Sequence, residues 1–277
     1  MKIYKTAQGA LIEHKEKFYL EKNIPWDELI NRSQLYEFLQ ALVADKETSQ
    51  VDLANEKLLP PLQSQEIWAS GVTYYRSRSA RMEESQDGGD VYDRVYSAER
   101  PELFFKANIA RTVGHLAEVY IRKDSKWDVP EPELTLFVNT KGEIQGYTVG
   151  NDMSSRSIEG ENPLYLPQAK VYEKCAGLGP CIYVPENGID PESKIKLQIL
   201  RDDKLAFEEE IGIDQMKRKH TELVSFLFRE CDFPYGCFLM TGTGIVPPNE
   251  FTLQEKDQVN ISIEGIGTLT NFIAKKP

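Results

Sequence analysis

Apolar and polar residues alternate in short runs along most of this chain, and only two stretches repeat with helical spacing. Period-two runs at residues 2–4, 11–13 and 18–20 predict three short strands at the amino end. A stripe of Leu35, Phe38, Leu39 and Leu42 then predicts a helix over 34–44, which Ser33 can cap. The prolines of Leu58-Leu-Pro-Pro-Leu62 continue neither helix nor strand, so they read as a linker. The pattern thus divides the chain into a small amino-terminal module, 1–62, and a larger unit, 63–277. In that unit strands are predicted at 67–73, 103–106, 118–122, 134–138, 144–149, 181–184, 194–200, 204–210, 238–241, 258–263 and 267–272. One amphipathic helix, 214–229, opens on Asp214 as its cap. Strands outnumber helices and do not alternate with them, which predicts an α+β chain with a mainly antiparallel β core instead of a doubly wound sheet.

Two of these strands carry chemistry. Residues 134–138 are apolar and β-prone, Asn139-Thr-Lys-Gly142 is a turn, and 144–149 return. Glu131 and Glu133, in Trp127-Asp-Val-Pro-Glu-Pro-Glu-Leu, share a face because side chains alternate along a strand. A two-residue turn at Lys141-Gly142 sets Asp152 opposite Glu131, and a four-residue turn sets it diagonal. Either way the three carboxylates share one face; a slip of one residue turns Asp152 away. Three carboxylates on one patch repel unless Lys, Arg or a cation sits among them, and Mg²⁺ or Mn²⁺ is the usual oxygen-rich solution. The other reading of the same residues is a solvated acidic strand edge, which Pro132 suits.

The 277 residues, 40% hydrophobic, suffice for a substantial core in one large domain or a large and a small one. A net charge of −11 with no Lys/Arg stripe argues against nucleic acid. An acidic substrate would depend on a local positive centre such as a bound cation. The start, Met1-Lys-Ile-Tyr-Lys-Thr, lacks the apolar core of a signal peptide, and no run reaches transmembrane length, so a cytoplasmic protein without membrane partners is expected. Cys175 with Cys181 and Cys231 with Cys237 have neither zinc nor redox spacing, and buried reduced thiols are expected. The charged segment 76–100, around Asp87-Gly88-Gly89-Asp90, reads as a solvated face or as a mobile lid with a glycine hinge. No Walker or dinucleotide fingerprint is present, so no nucleotide cofactor is implied.

Three further sites have chemical potential. Lys170 closes the proline-stiffened Glu161-Asn-Pro-Leu-Tyr-Leu-Pro-Gln-Ala-Lys170, and a lysine held near a metal and partly desolvated can act as a base; the alternative is a surface loop lysine. Glu102, before an apolar strand, can act as a general acid or stand as a solvated carboxylate. Thr241-Gly-Thr-Gly244 can offer backbone N–H groups to an anionic oxygen or simply form a tight turn.

Trp127-x-x-Pro-Glu-Pro-Glu-Leu, Gly146-Tyr-Thr-Val-x-Asn-Asp-Met-Ser-Ser-Arg156 and Gly242-Thr resemble the catalytic domain of the fumarylacetoacetate hydrolase superfamily. Arg100-Pro-Glu-Leu-Phe-Phe-Lys106, Val113-Gly-His115, the loop ending at Lys170 and Thr241-Gly-Thr-Gly-Ile-Val-Pro247 are most similar to the branch that dehydrates 2-keto-3-deoxy sugar acids such as 2-dehydro-3-deoxy-D-arabinonate. The resemblance covers about residues 67–272. It implies a rolled or sandwich-like, mixed β-sheet catalytic domain, a homo-oligomer (dimer or tetramer), and Mg²⁺ or a similar ion such as Mn²⁺ or Ca²⁺. It further implies Glu131, Glu133 and Asp152 as metal ligands, Lys170 and Glu102 as the acid/base pair, and Lys106, Lys170 and Thr243 as substrate-binding positions. The carbon–carbon hydrolases of the superfamily carry a histidine after Gly-x-Asn-Tyr; here Gly71-Val-Thr-Tyr-Tyr-Arg-Ser77 has serine. The expectation is therefore a metal-dependent dehydratase that turns a small 2-keto-3-deoxy acid into a 2-keto aldehyde acid. The alternatives are another metal-dependent member acting on 2-keto acids, as hydrolase, decarboxylase or tautomerase, and a non-catalytic metal- or ligand-binding module.

Overall fold

In the computed structural model, which describes residues 1–74 and 94–277, the alternating runs close into two sheets packed face to face. The larger sheet runs in the order β3 (Lys17–Glu21), β2 (Gly9–His14), β1 (Lys2–Thr6), β10 (Ala176–Tyr183), β9 (Ile144–Ser155), β8 (Asp128–Val138), β13 (Cys237–Met240), β4 (Glu66–Gly71) and β5 (Glu102–Ala107), and β6 (Thr112–Val113) pairs with β10 off this path. The smaller sheet is β12 (Lys204–Gly212), β11 (Lys194–Arg201), β14 (Gln258–Ile263), β15 (Gly267–Lys275) and β7 (Ala117–Ile121). Pairing is antiparallel except at β13–β4, β10–β6 and β15–β7, so both sheets are mixed. Through the β1–β10 ladder, with Ile3 opposite Ile182, the amino-terminal strands extend the larger sheet.

Alternation decides which layer each residue enters. Leu134, Leu136 and Val138 of β8 face the smaller sheet and share a core with Leu197, Ile199, Val259 and Ile261. Phe137 faces the other way, against Phe238 at 5.2 Å between ring centroids and towards helices α1 (Trp26–Ile30) and α2 (Leu35–Ala44). Each such fully buried side chain stabilises the fold by roughly 1.5–3 kcal/mol. Because β8 is covered on both faces, Glu131 and Glu133, which point the same way as Phe137, are removed from bulk water.

The hairpin joining β8 to β9 uses neither predicted turn. Asn139 N donates to Glu143 O at 3.0 Å and Gly142 N donates to Asn139 O at 3.0 Å, a three-residue loop with Gly142 at φ 75. That loop pairs Val138 with Ile144, a ladder that would set Asn151 opposite Glu131 and turn Asp152 away. Gln145 then bulges out, Phe137 pairs with Gly146, and from there on Glu131 stands opposite Asp152.

Two predicted helix starts move for tertiary reasons. Ser33 does not cap α2: Gln34 precedes it at φ 53, Ser33 Oγ donates to Glu143 Oε2 at 2.6 Å, and Leu35 N donates to Gln145 Oε1 at 3.0 Å. The helix expected over 214–229 is shorter, α5 (His220–Leu227); Met216 and Lys217 instead pair with residues 73–74, where Lys217 N donates to Thr73 O at 2.9 Å. Cys175, Cys181 and Cys237 are buried thiols, as expected, but Cys231 is exposed. Burial pushes the Cys181 thiol up to about 12. Among the described residues no helix is long and apolar enough to cross a membrane.

Candidate metal centre

Glu131, Glu133 and Asp152 converge. They are 4%, 1% and 1% exposed, and each offers an oxygen within 4.8 Å of the others, which rules out a solvated acidic edge. The prolines have a different explanation. β13 pairs only with Thr135 to Val138, so the half of β8 carrying Pro130 and Pro132 has a ladder on one side alone and needs no N–H on the other.

Cationic side chains meet two of the three carboxylates. Lys170 Nζ lies 2.7 Å from Glu131 Oε2, 3.1 Å from Asp152 Oδ2 and 2.6 Å from Ser154 Oγ. Arg156 Nη2 is 3.0 Å from Glu131 Oε1, and Lys106 Nζ is 2.5 Å from Asp152 Oδ1. Glu133 has no cationic side chain within ion-pair distance among the described residues and accepts only the Gly242 N–H, at 2.6 Å. Burial, reinforced by repulsion from Asp152 and Glu131, pushes its carboxyl well above the usual range, against the opposing pull of Lys170 and the Gly242 N–H. An all-oxygen set whose central carboxylate is buried with no ion-pair partner among the described residues fits a hard divalent cation.

The local sequence explains the placement. Gly242 adopts φ +93, and a Cβ there would fall 2.1 Å from Thr73 Oγ1 and 2.9 Å from Ser70 O, so only glycine lets this N–H reach Glu133. The Thr241-Gly242 turn therefore does serve an anionic oxygen, that of Glu133. Pro163 opens a single 3₁₀ turn (Pro163–Tyr165), and Pro167 lies in the first turn of helix α4 (Leu166–Lys170). That short helix packs on β9 and β5 and brings Lys170, its last residue, over the carboxylates with 2% exposure.

A pocket opens above them, walled by Glu102, Phe104, Arg156, Glu159, Leu166 and Thr243 around Glu131, Asp152 and Lys170. The Glu102 carboxylate lies over Gly71, its Oε2 only 2.0 Å from where a Cβ would stand. Of the expected site residues, Glu102, Glu131, Glu133, Asp152, Lys170 and Thr243 are brought together. Lys106 is placed beneath the pocket, fully buried and outside its lining. Ser77 and most of the segment expected as a lid lie outside the described residues; its near end is held by Arg218, which donates to Ala98 O and Glu99 O at 2.5 and 2.8 Å.

Arg156, Glu159 and Ser154 were not singled out from sequence. Ser154 was within reach, since it stands two residues after Asp152 and so shares its face. Arg156 and Glu159 belong to a helical turn, α3 (Arg156–Glu161), whose Ser155 cap accepts from Ile158 N at 3.4 Å, and no hydrophobic period announces so short a helix.

Residues 67–274 match the fumarylacetoacetate (FAA) hydrolase C-terminal family. The chain is 51% identical over 214 residues to a probable 2-keto-3-deoxyxylonate dehydratase of Haloferax volcanii, covering 77% of this chain and 73% of the relative. It is 40% identical over 224 residues to a 2-dehydro-3-deoxy-D-arabinonate dehydratase of Saccharolobus solfataricus, covering 79% and 75%. In structure it is similar to 2-keto-3-deoxy-D-arabinonate dehydratase complexed with magnesium and 2,5-dioxopentanoate, with a TM-score of 0.85 at 32% identity over 100% of this chain and 99% of the other.

Proposed function

This chain belongs to the fumarylacetoacetate (FAA) hydrolase family, and we propose that within it the protein is a divalent-metal-dependent dehydratase, a hydro-lyase, of a 2-keto-3-deoxy sugar acid such as 2-dehydro-3-deoxy-D-arabinonate. The observation that carries this reading is the buried Glu133 carboxylate, with no cationic side chain within ion-pair distance among the described residues, between Glu131 and Asp152 and below a pocket that holds both Lys170 and Glu102. The two similar dehydratases and the related magnesium complex support the substrate class and the metal.

Glu131, Glu133 and Asp152 would hold Mg²⁺, or Mn²⁺ or Ca²⁺ on the same ligand chemistry. When bound, the cation supplies Lewis acidity to the carboxylate and 2-keto oxygen of the acid, which makes the C3 proton labile. Lys170 Nζ, beside Glu131 and Asp152, takes that proton as the neutral amine. Glu102, across the pocket on β5, gives a proton to the departing C4 hydroxyl, so that C3–H and C4–OH leave as one water. The unsaturated acid that remains rearranges to a 2-keto aldehyde acid. Arg156 keeps Glu131 oriented through its 3.0 Å ion pair, and Thr243 contributes to the pocket wall that meets the substrate. The working assembly on this reading is a cytoplasmic homo-oligomer, dimer or tetramer.

A substrate panel tests the function. The protein with Mg²⁺ is incubated with 2-keto-3-deoxy pentonates and hexonates, oxaloacetate and an acylpyruvate. Loss of water from the first group with no cleavage of the others is expected. Release of carbon dioxide or of a carboxylic acid moves the assignment to another reaction of the family, and inertness towards all with tight metal binding moves it to a binding module.

A further inference from the structure

Lys106 is 0% exposed, and a buried ammonium is tolerated only when its donors are matched. Its ammonium donates to Met153 O at 2.9 Å and to Lys170 O at 2.5 Å, and it pairs with the Asp152 carboxylate, Nζ lying 2.5 Å from Oδ1. The residue is not part of the pocket wall, so it does not meet a substrate there. Two of the partners belong to the residues on which the proposed chemistry turns. Lys170 ends helix α4, where a terminal carbonyl has no partner within the helix, and Lys106 supplies one from β5. The same ammonium pins the second oxygen of Asp152, while its first oxygen meets Lys170 Nζ at 3.1 Å.

We infer that Lys106 is a positioning residue: it bolts the backbone of Lys170 to the carboxylate of Asp152 and so sets the reach of the base relative to the metal ligands. The inference rests on the proposed function, because it assigns Lys170 the proton transfer. Two rival roles make different demands. A lysine that gripped the substrate carboxylate would control KM. A lysine that served only to neutralise the acidic cluster would control stability and metal affinity but leave turnover per folded molecule alone.

The test compares wild type with Lys106→Met and Lys106→Gln, in steady-state kinetics, in Mg²⁺ calorimetry and in crystal structures. A 1 Å displacement of a catalytic group costs about 100-fold in rate, so Lys106→Met is expected to lower kcat by about that factor with KM within about threefold. The Mg²⁺ affinity should fall by no more than about tenfold, the low end of what outer groups of a metal site are worth. Glutamine keeps a donor amide, so Lys106→Gln should recover part of kcat; it also stands in if the methionine variant does not fold. The crystal structure should show Lys170 Nζ drawn away from Asp152 by more than about 1 Å, the scale at which rate responds. A raised KM with kcat intact overturns the inference, and so does a folded variant with unchanged turnover. Should the wild type dehydrate none of the panel, the proposed function fails, and the position of Lys170 in the variant structure still decides the role of Lys106: unmoved, it refutes the bolt.

Discussion

Glu133 is the residue on which the site turns, because burial and two neighbouring carboxylates raise its pKa and, among the described residues, no side-chain cation lies within ion-pair distance of it. Replacing it with glutamine keeps an acceptor for Gly242 N but removes a charge and a ligand. Glu133→Gln should weaken Mg²⁺ binding by on the order of 100-fold or more in calorimetry, since even outer groups of metal sites are worth 10- to 100-fold. Unchanged affinity would take Glu133 out of the ligand set. Asp128, further along the same strand, offers a test by pH. Burial, opposed by Ser125 and Arg122, lifts its carboxyl from 3.8 to about 6. A folded pKa above the unfolded one means that stability present below pH 4 is lost as the pH rises through 6. Asp128→Asn, neutral throughout, should therefore match wild type near pH 4 and exceed it by about 3 kcal/mol at pH 8, at 1.36 kcal/mol per pKa unit. Urea titrations of the metal-free proteins read this, and a variant weaker than wild type at pH 8 contradicts it. At this scale strand alternation alone was enough to align Glu131 with Glu133; Asp152 joins them only through the register of the hairpin. Lys170, Glu102 and the 241–244 turn stood as candidates on local grounds, and the family resemblance gave Lys170, Glu102 and Thr243 their roles, since nothing local tells a pocket lysine from a surface one.

At the scale of elements, the hairpin shows how close the site stands to a different arrangement. Its three-residue loop starts the ladder out of step, and the single bulged residue Gln145 restores the pairing that sets Asp152 against Glu131. Deleting Gln145 would only remove the bulge and keep Phe137 against Gly146, so Mg²⁺ binding should survive it; inserting one alanine after Tyr147 should instead turn Asp152 away and abolish Mg²⁺ binding while circular dichroism keeps its strand signal, and intact binding there would mean that the register is held elsewhere. Sequence reading placed the carboxylates on one face yet missed the bulge, because a bulge leaves no periodic trace within one short strand. The Gly71–Glu102 pair across β4 and β5 gives a second test. Gly71→Ala puts a methyl group where the Glu102 carboxylate lies, and that flexible end must move rather than the backbone. Turnover should fall at least ~10-fold from misplacement, with Mg²⁺ affinity unchanged. Undiminished turnover would remove Glu102 as the proton donor. Helix ends were read least well, as the cap of α2 and the start of α5 show: both are set by contacts with distant strands, Gln145 in one case and residues 73–74 in the other.

Over the whole molecule, two mixed sheets leave one face of the larger sheet half covered by α1 and α2 and half by the helical turns of residues 156–170. The carboxylates sit on the second half, where polar residues replace the apolar packing around Phe137. The mainly β architecture was legible because strand periods survive in sequence; the order of strands was not, since neighbours such as β1 and β10 lie far apart along the chain. A protein of net charge −11 gains by gathering its local positive charge where an acidic substrate must bind. The central claim, that the buried trio activates a 2-keto-3-deoxy acid through a divalent ion, meets its most direct test in proton NMR of 2-dehydro-3-deoxy-D-arabinonate with metal-stripped protein, before and after Mg²⁺ is restored. The account predicts no loss of the C3 signals without metal, conversion to the 2-keto aldehyde acid on adding Mg²⁺, and no conversion with Glu133→Gln at the same metal concentration. Equal conversion by stripped and loaded wild-type protein would contradict it.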